Sequence, residues 1–147
     1  MTRHTAVAGV LALSAGLALT GCSSDSKPEL KVTGAFMPQP VGDMAAGFLV
    51  VRNSGGTDRL TSVTSSLSDQ VTIHETRNRT MRMATSFEVP AGGELDLERG
   101  GNHIMFTKLK QKPEQGETVS VELHFEKADP IKVDVPVMAT THNPKKQ

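Results

Sequence analysis

Five side chains in this sequence can share one piece of chemistry: His74, Met81, Met83, His103 and Met105. In His103-Ile104-Met105 the imidazole and the thioether are two residues apart, so in a strand they project from one face while Ile104 turns to the other. His74 and the Met81-x-Met83 pair flank Arg77-Asn78-Arg79-Thr80, which reads as a hairpin turn. If Asn78 and Arg79 form a two-residue loop, His74 sits across from Met83. A turn one residue wider on the His74 side makes Met81 the nearer partner. Either way His74, Met81 and Met83 fall on one face. One hairpin and one neighbouring strand can therefore gather two imidazoles and two or three thioethers, a donor set that favours Cu(I) over zinc, calcium or magnesium.

Composition narrows the alternatives. A blue-copper electron carrier needs a Cys ligand inside its fold, and the chain's single cysteine, Cys22, lies near the N-terminus. There is no Tyr or Trp for radical chemistry, and no acid–base pair stands near the histidines, so catalysis is not expected. With Cys22 set aside there are no disulfides and no Cys-based zinc sites. Sixteen basic residues balance sixteen acidic ones, and without a basic face or stacking aromatics nucleic-acid binding is not expected.

Cys22 has its own chemistry. Ala6 to Leu19 form a 14-residue apolar run that ends in Leu19-Thr20-Gly21-Cys22. The run suits an export signal and is short for a bilayer span, and its end resembles a bacterial lipobox whose Cys is acylated. Residues 1–21 are expected as a lipoprotein signal peptide and 22–29 as the lipidated Cys22 with a flexible polar tether. Residues 30–136 are expected as the metal-binding domain and 137–147 as a flexible tail. The protein would be exported and lipid-anchored to the outer face of the bacterial cytoplasmic membrane, touching the membrane through that anchor only.

The elements that must position the donors read as strands. Short runs rich in Val, Thr, Ile, Leu and Phe alternate with Gly, Pro and Asn punctuation, the pattern of an all-β sandwich or barrel. The expected strands are Leu30–Phe36, Ala46–Arg52, Leu60–Ser65, Val71–Thr76, Met81–Val89, Glu94–Leu97, His103–Lys108, Thr118–Phe125 and Ile131–Val135. The glycine pairs lack the following helix and Lys-Ser/Thr that a phosphate cradle requires, and read as turns.

These motifs together resemble the periplasmic copper chaperone family PCu(A)C. Val71-Thr72-Ile73-His74-Glu75-Thr76 resembles the family's strand with its first His ligand, and Met81-Arg82-Met83 its Met-x-Met element. Pro90-Ala91-Gly92-Gly93 resembles the turn that follows, and Gly100-Gly101-Asn102-His103-Ile104-Met105-Phe106 the family's Gly-Gly-x-His-Ile-Met segment. The family places 21 residues between its ligand Met and the His-x-Met pair, and 21 separate Met81 from His103 here. Met81 therefore takes the ligand role, with Met83 as its substitute. The family's usual 10 residues between the first His and the Met shrink to 6 between His74 and Met81, a shorter hairpin. The resemblance implies a cupredoxin-like Greek-key β-sandwich with Cu(I) held by His74, Met81, His103 and Met105. It also implies delivery toward the dinuclear copper centre of cytochrome c oxidase, beside a Sco-type protein or the oxidase's copper-centre subunit.

Other candidates carry plainer expectations. His124 reads as solvated, and Met37 and Met44 as core or loop packing. Met138 and His142 fall in the tail, where extra copper binding is a minor reading. Lys108, Lys110 and Lys112 read as a solvated cationic strand edge. The rivals to a chaperone are a copper-sequestering protein, a metal-free β-sandwich interaction module and a copper enzyme.

Overall fold

The computed structural model describes residues 26–146, so the expected signal peptide, Cys22 and the first part of the tether lie outside the described residues. Ten strands follow: β1 (Leu30–Pro38), β2 (Ala45–Asn53), β3 (Asp58–Ser65), β4 (Gln70–Arg77), β5 (Thr80–Ala84), β6 (Phe87–Val89), β7 (Glu94–Leu97), β8 (His103–Thr107), β9 (Thr118–Phe125) and β10 (Ile131–Met138). The only helical turn among the described residues is a short 3-10 turn at Pro144–Lys146. The all-β expectation holds.

Strands pair along one path, β5-β4-β8-β2-β1-β10-β9-β3-β6, with β7 beside the second half of β2. The ends of that path, β5 and β6, are joined in sequence by Thr85 and Ser86 alone. Three peptide units reach about 11 Å at most, whereas nine strands laid flat span roughly 38 Å. The path therefore folds back on itself. Buried side chains from both halves, among them Leu49, Ile73, Ile104 and Phe106 with Leu60, Leu123 and Val137, fill one core. Non-consecutive neighbours such as β4–β8 and β9–β3 make the order that of a Greek-key sandwich.

Backbone chemistry explains the corners. Gly34 adopts φ 62, at a register shift between Thr33 and Phe36. That bulge lets β1 leave antiparallel pairing with β2 and pair in parallel with β10 through Met37 and Pro38. The β4–β5 hairpin turns on Asn78 and Arg79, both left-handed at φ 51 and 63, with Arg77 paired to Thr80. This is the two-residue type I′ loop whose twist matches its flanking strands.

Several boundaries differ from the sequence reading: β1 runs on to Pro38, β3 begins at Asp58, and β2 and β4 are each one residue longer at both ends. The run Met81–Val89 is two strands, because Thr85-Ser86 carries the chain from β4 to a new partner, β3. The strand of His103 stops at Thr107, since Lys108 takes φ 52. Lys110 then pairs with Asp69 at 2.6 Å, so the three lysines lie in a loop and not on a strand edge. The last strand runs on to Met138, with Val137 buried and bonded to Glu117. Finally, the stretch expected as tether is pinned from Lys27 onward. Ser54 and Gly56 donate backbone bonds to Glu29 and Lys27, and a Cβ on Gly55 would lie 2.1 Å from the Lys27 carbonyl oxygen, so only glycine fits there.

Candidate metal centre

The site face is the outer side of β5-β4-β8-β2. Ile73 and Ile104 point into the core, so their neighbours His74 and His103 turn outward by strand alternation. Register then sets their company. His74 stands directly across from His103 on one side and from Met83 on the other. One row along, Thr72 faces Met105 and Met105 faces Ala46 of β2. One row the other way, Thr76 faces Met81. All five expected donors therefore share one face, with His103, His74 and Met83 in a single row. Met105 and Met81 occupy the rows on either side of it.

The imidazoles of His74 and His103 stack, with ring centroids 5.6 Å apart and planes inclined by 22°. Each ring is held by a neighbour. The Gly100-Gly101 turn, with Gly100 at φ 84, presents the Gly101 carbonyl 2.9 Å from His103 Nδ1. A carbonyl only accepts, so His103 carries its proton on Nδ1 and its lone pair on Nε2. His103 is 8 % exposed, and its ring lies 6.4 Å from the ring of Phe48, which itself stacks on Phe36. His74 Nε2 lies 2.9 Å from Thr72 Oγ1, while its Nδ1 is sealed from solvent with no hydrogen-bond partner. Buried polar atoms are nearly always paired, so an unpaired imidazole nitrogen beside a second imidazole and several thioethers fits a soft metal ion. Burial, and then the neighbouring His103, hold His74 below the ordinary histidine pKa.

The thioethers are accessible. Val41, Met44, Met81 and Met83 are the large apolar side chains exposed among the described residues. Met81 and Met83 lie on the site face, and Met44 is two residues before Ala46, the cross-strand neighbour of Met105. No three His, Cys, Asp or Glu side chains converge anywhere among the described residues. The side chains that strand register places around the paired imidazoles include the thioethers of Met81, Met83 and Met105.

The remaining candidates lie elsewhere. Met37 is fully buried in the core. His124 bonds Thr64 Oγ1 at 2.9 Å and sits 3.5 Å from Glu122, away from the site face. Met138 ends β10 and pairs with Pro38. His142 packs edge-on against Phe36, with centroids 5.0 Å apart. The sequence reading missed the supporting partners Thr72, Gly101 and Phe48. The Thr72–His74 spacing of two was the available signal for the first. The other two depend on the turn and on which strand flanks β8.

Residues 17–137 match the family described as "Putative lipoprotein LpqE-like". A curated relative, "Putative lipoprotein Lxx21020" of Leifsonia xyli subsp. xyli, is 36% identical over 153 aligned positions, covering 93% of this chain and 89% of the relative. Among solved structures, the apo PCuAC domain of PmoF2 is 21% identical with a TM-score of 0.69, covering 80% of this chain and 97% of that domain. The copper-bound PCuAC domain of PmoF2 is 23% identical with a TM-score of 0.67, covering 75% and 92%. The solution structure of CuI-DR1885 from Deinococcus radiodurans is 24% identical with a TM-score of 0.63, covering 74% and 78%. At those identities the structures establish the shared fold, a cupredoxin-like all-β one.

Proposed function

The chain belongs to the LpqE-like lipoprotein family and has the PCuAC fold, and from that premise we propose that it is an extracytoplasmic Cu(I)-binding chaperone. The observation that carries the reading is the His74–His103 pair, stacked at 5.6 Å with an unpartnered Nδ1, on a face that also bears Met105, Met81 and Met83. His74, His103 and Met105 form the constant part of the donor set. The β5 thioether is Met81 by the spacing that the resemblance to the PCu(A)C family implies, with Met83, directly across from His74, able to take its place. The copper-bound relatives support the same ion here.

Copper is cargo on this reading, and the protein acts as a carrier rather than a catalyst. Thioethers and neutral imidazoles hold Cu(I) without releasing protons, apart from any on an imidazolium. Two of the thioethers are exposed, so an incoming thiolate can replace donors one at a time, and thiolate is the stronger soft ligand. The acceptor would be a Sco-type protein or the copper-centre subunit of cytochrome c oxidase. The protein would work from a lipid anchor on Cys22, on the outer face of the cytoplasmic membrane. No helix among the described residues is long and apolar enough to cross a membrane.

Delivery is tested by transfer. The copper-loaded protein is mixed with a reduced dithiol acceptor of either type, and the partition of copper is read after separation. One equivalent passing to the acceptor is expected. Copper that stays on the chaperone despite a competent acceptor would instead identify a sequestering protein.

A further inference from the structure

We propose that Thr72 is a positioning residue of this site, accepting a hydrogen bond from His74 Nε2–H and so leaving Nδ1 as the nitrogen that meets the metal. The inference rests on the copper-binding reading and deepens it. Thr72 and His74 are two residues apart on β4, on one face, and Thr72 Oγ1 lies 2.9 Å from Nε2. A hydroxyl can donate or accept, so the ring's other nitrogen decides between the two arrangements. If Thr72 donated, the imidazole proton would sit on Nδ1, which is sealed from water and has no acceptor. A buried N–H without a partner is the rarest kind of orphan in a folded protein. If Nε2–H donates to Thr72, Nδ1 carries a lone pair instead, and a soft cation satisfies it.

The paired imidazoles then present different nitrogens. His103 is held through Nδ1–H by the Gly101 carbonyl at 2.9 Å and offers Nε2. His74 is held through Nε2–H by Thr72 and offers Nδ1. Both protons are engaged by outer partners, so both tautomers are set before copper arrives. Partners of this kind orient a ligating imidazole and raise its basicity, and losing one lowers metal affinity by roughly 10- to 100-fold.

The test begins without metal. In the full protein labelled with 15N-histidine, two-bond proton–nitrogen correlations report the tautomer of each ring. The expected pattern is Nε2–H for His74 and Nδ1–H for His103. Cu(I) affinity is then measured against a competing chelator for the wild type, Thr72→Val and Thr72→Ser. Thr72→Val should bind at least about tenfold more weakly and lose the single-tautomer signature of His74, while Thr72→Ser should keep both. An Nδ1–H tautomer for His74 in the wild type overturns the assignment without need of any variant, as does a folded Thr72→Val that binds copper like the wild type. A wild type with the expected tautomers that takes up no copper overturns the metal role together with the copper reading. Copper binding with His74 protonated on Nδ1 overturns the role of Thr72 alone.

Discussion

At the scale of single residues, the site is governed by which imidazole nitrogens keep their lone pairs, and at what pH. His74 has its pKa lowered from 6.5, first by burial and then by His103. A depressed folded-state value means that the unfolded chain takes up the proton first. The stability this contributes is present above the unfolded value of about 6.5 and is lost as pH falls through the lower folded value. The same shift keeps the His74 lone pair available to a metal at mildly acidic pH. A ring titration of the metal-free protein by NMR should therefore place the His74 midpoint below 6.5, with unfolding free energy falling on acidification through that window. A midpoint at or above the ordinary value would contradict the geometry described here. Parity was legible at this scale, because period two along a strand needs no tertiary information. The order of donors across strands was not, since it follows from β8 pairing with β4 so that His103 meets His74.

At the scale of elements, the β4–β5 hairpin carries three of the five expected donors, and its loop length sets their register. A two-residue loop was one of two arrangements the sequence allowed, and Arg77 paired with Thr80 selects it. Arg79 occupies the second loop position at φ 63, where a side chain is strained and glycine is not. Arg79→Gly should therefore stabilise the protein by about 1 kcal/mol, read as a higher denaturant midpoint at unchanged slope, with copper affinity unaltered. Destabilisation would mean that the Arg79 side chain contributes contacts outweighing the strain. The elements the sequence obscured share a cause. Thr85-Ser86 has no Gly or Pro to announce the corner between β5 and β6, and Val137 becomes strand because Met37 of β1 pairs with it in parallel, with Gly116 and Glu117 bonded to its backbone. Glu94–Leu97 and Thr118–Phe125, bounded by clear turn residues, match their expected limits.

At the scale of the whole molecule, the last residues are tied to the same face as the site. Arg99 donates to the carbonyls of Thr140 and His142 at 3.0 and 2.8 Å. Lys145 pairs with both Asp96 and Glu98, which raises its pKa above the ordinary lysine value. His142 rests on Phe36, Phe36 on Phe48, and Phe48 beside His103. The segment expected as a loose tail is thus joined by an aromatic row to a ring of the candidate site. Composition alone could not show this, because Pro, Thr, Asn and Lys read as solvated until Arg99, Asp96 and Glu98 are placed beside them. The central claim is that imidazoles and thioethers from β4, β5 and β8 act as one centre. Its most direct test is a Cu(I) titration of the protein against a competing chelator, repeated with His74→Ala, His103→Ala, Met81→Ala, Met83→Ala and the Met81/Met83 double alanine variant. One equivalent should bind, and either histidine variant or the double variant should weaken it by more than about tenfold, the level reached by outer partners alone. Each single β5 methionine variant should cost less than the double. Copper uptake that ignores both histidines, or no uptake by the wild type, would contradict the account.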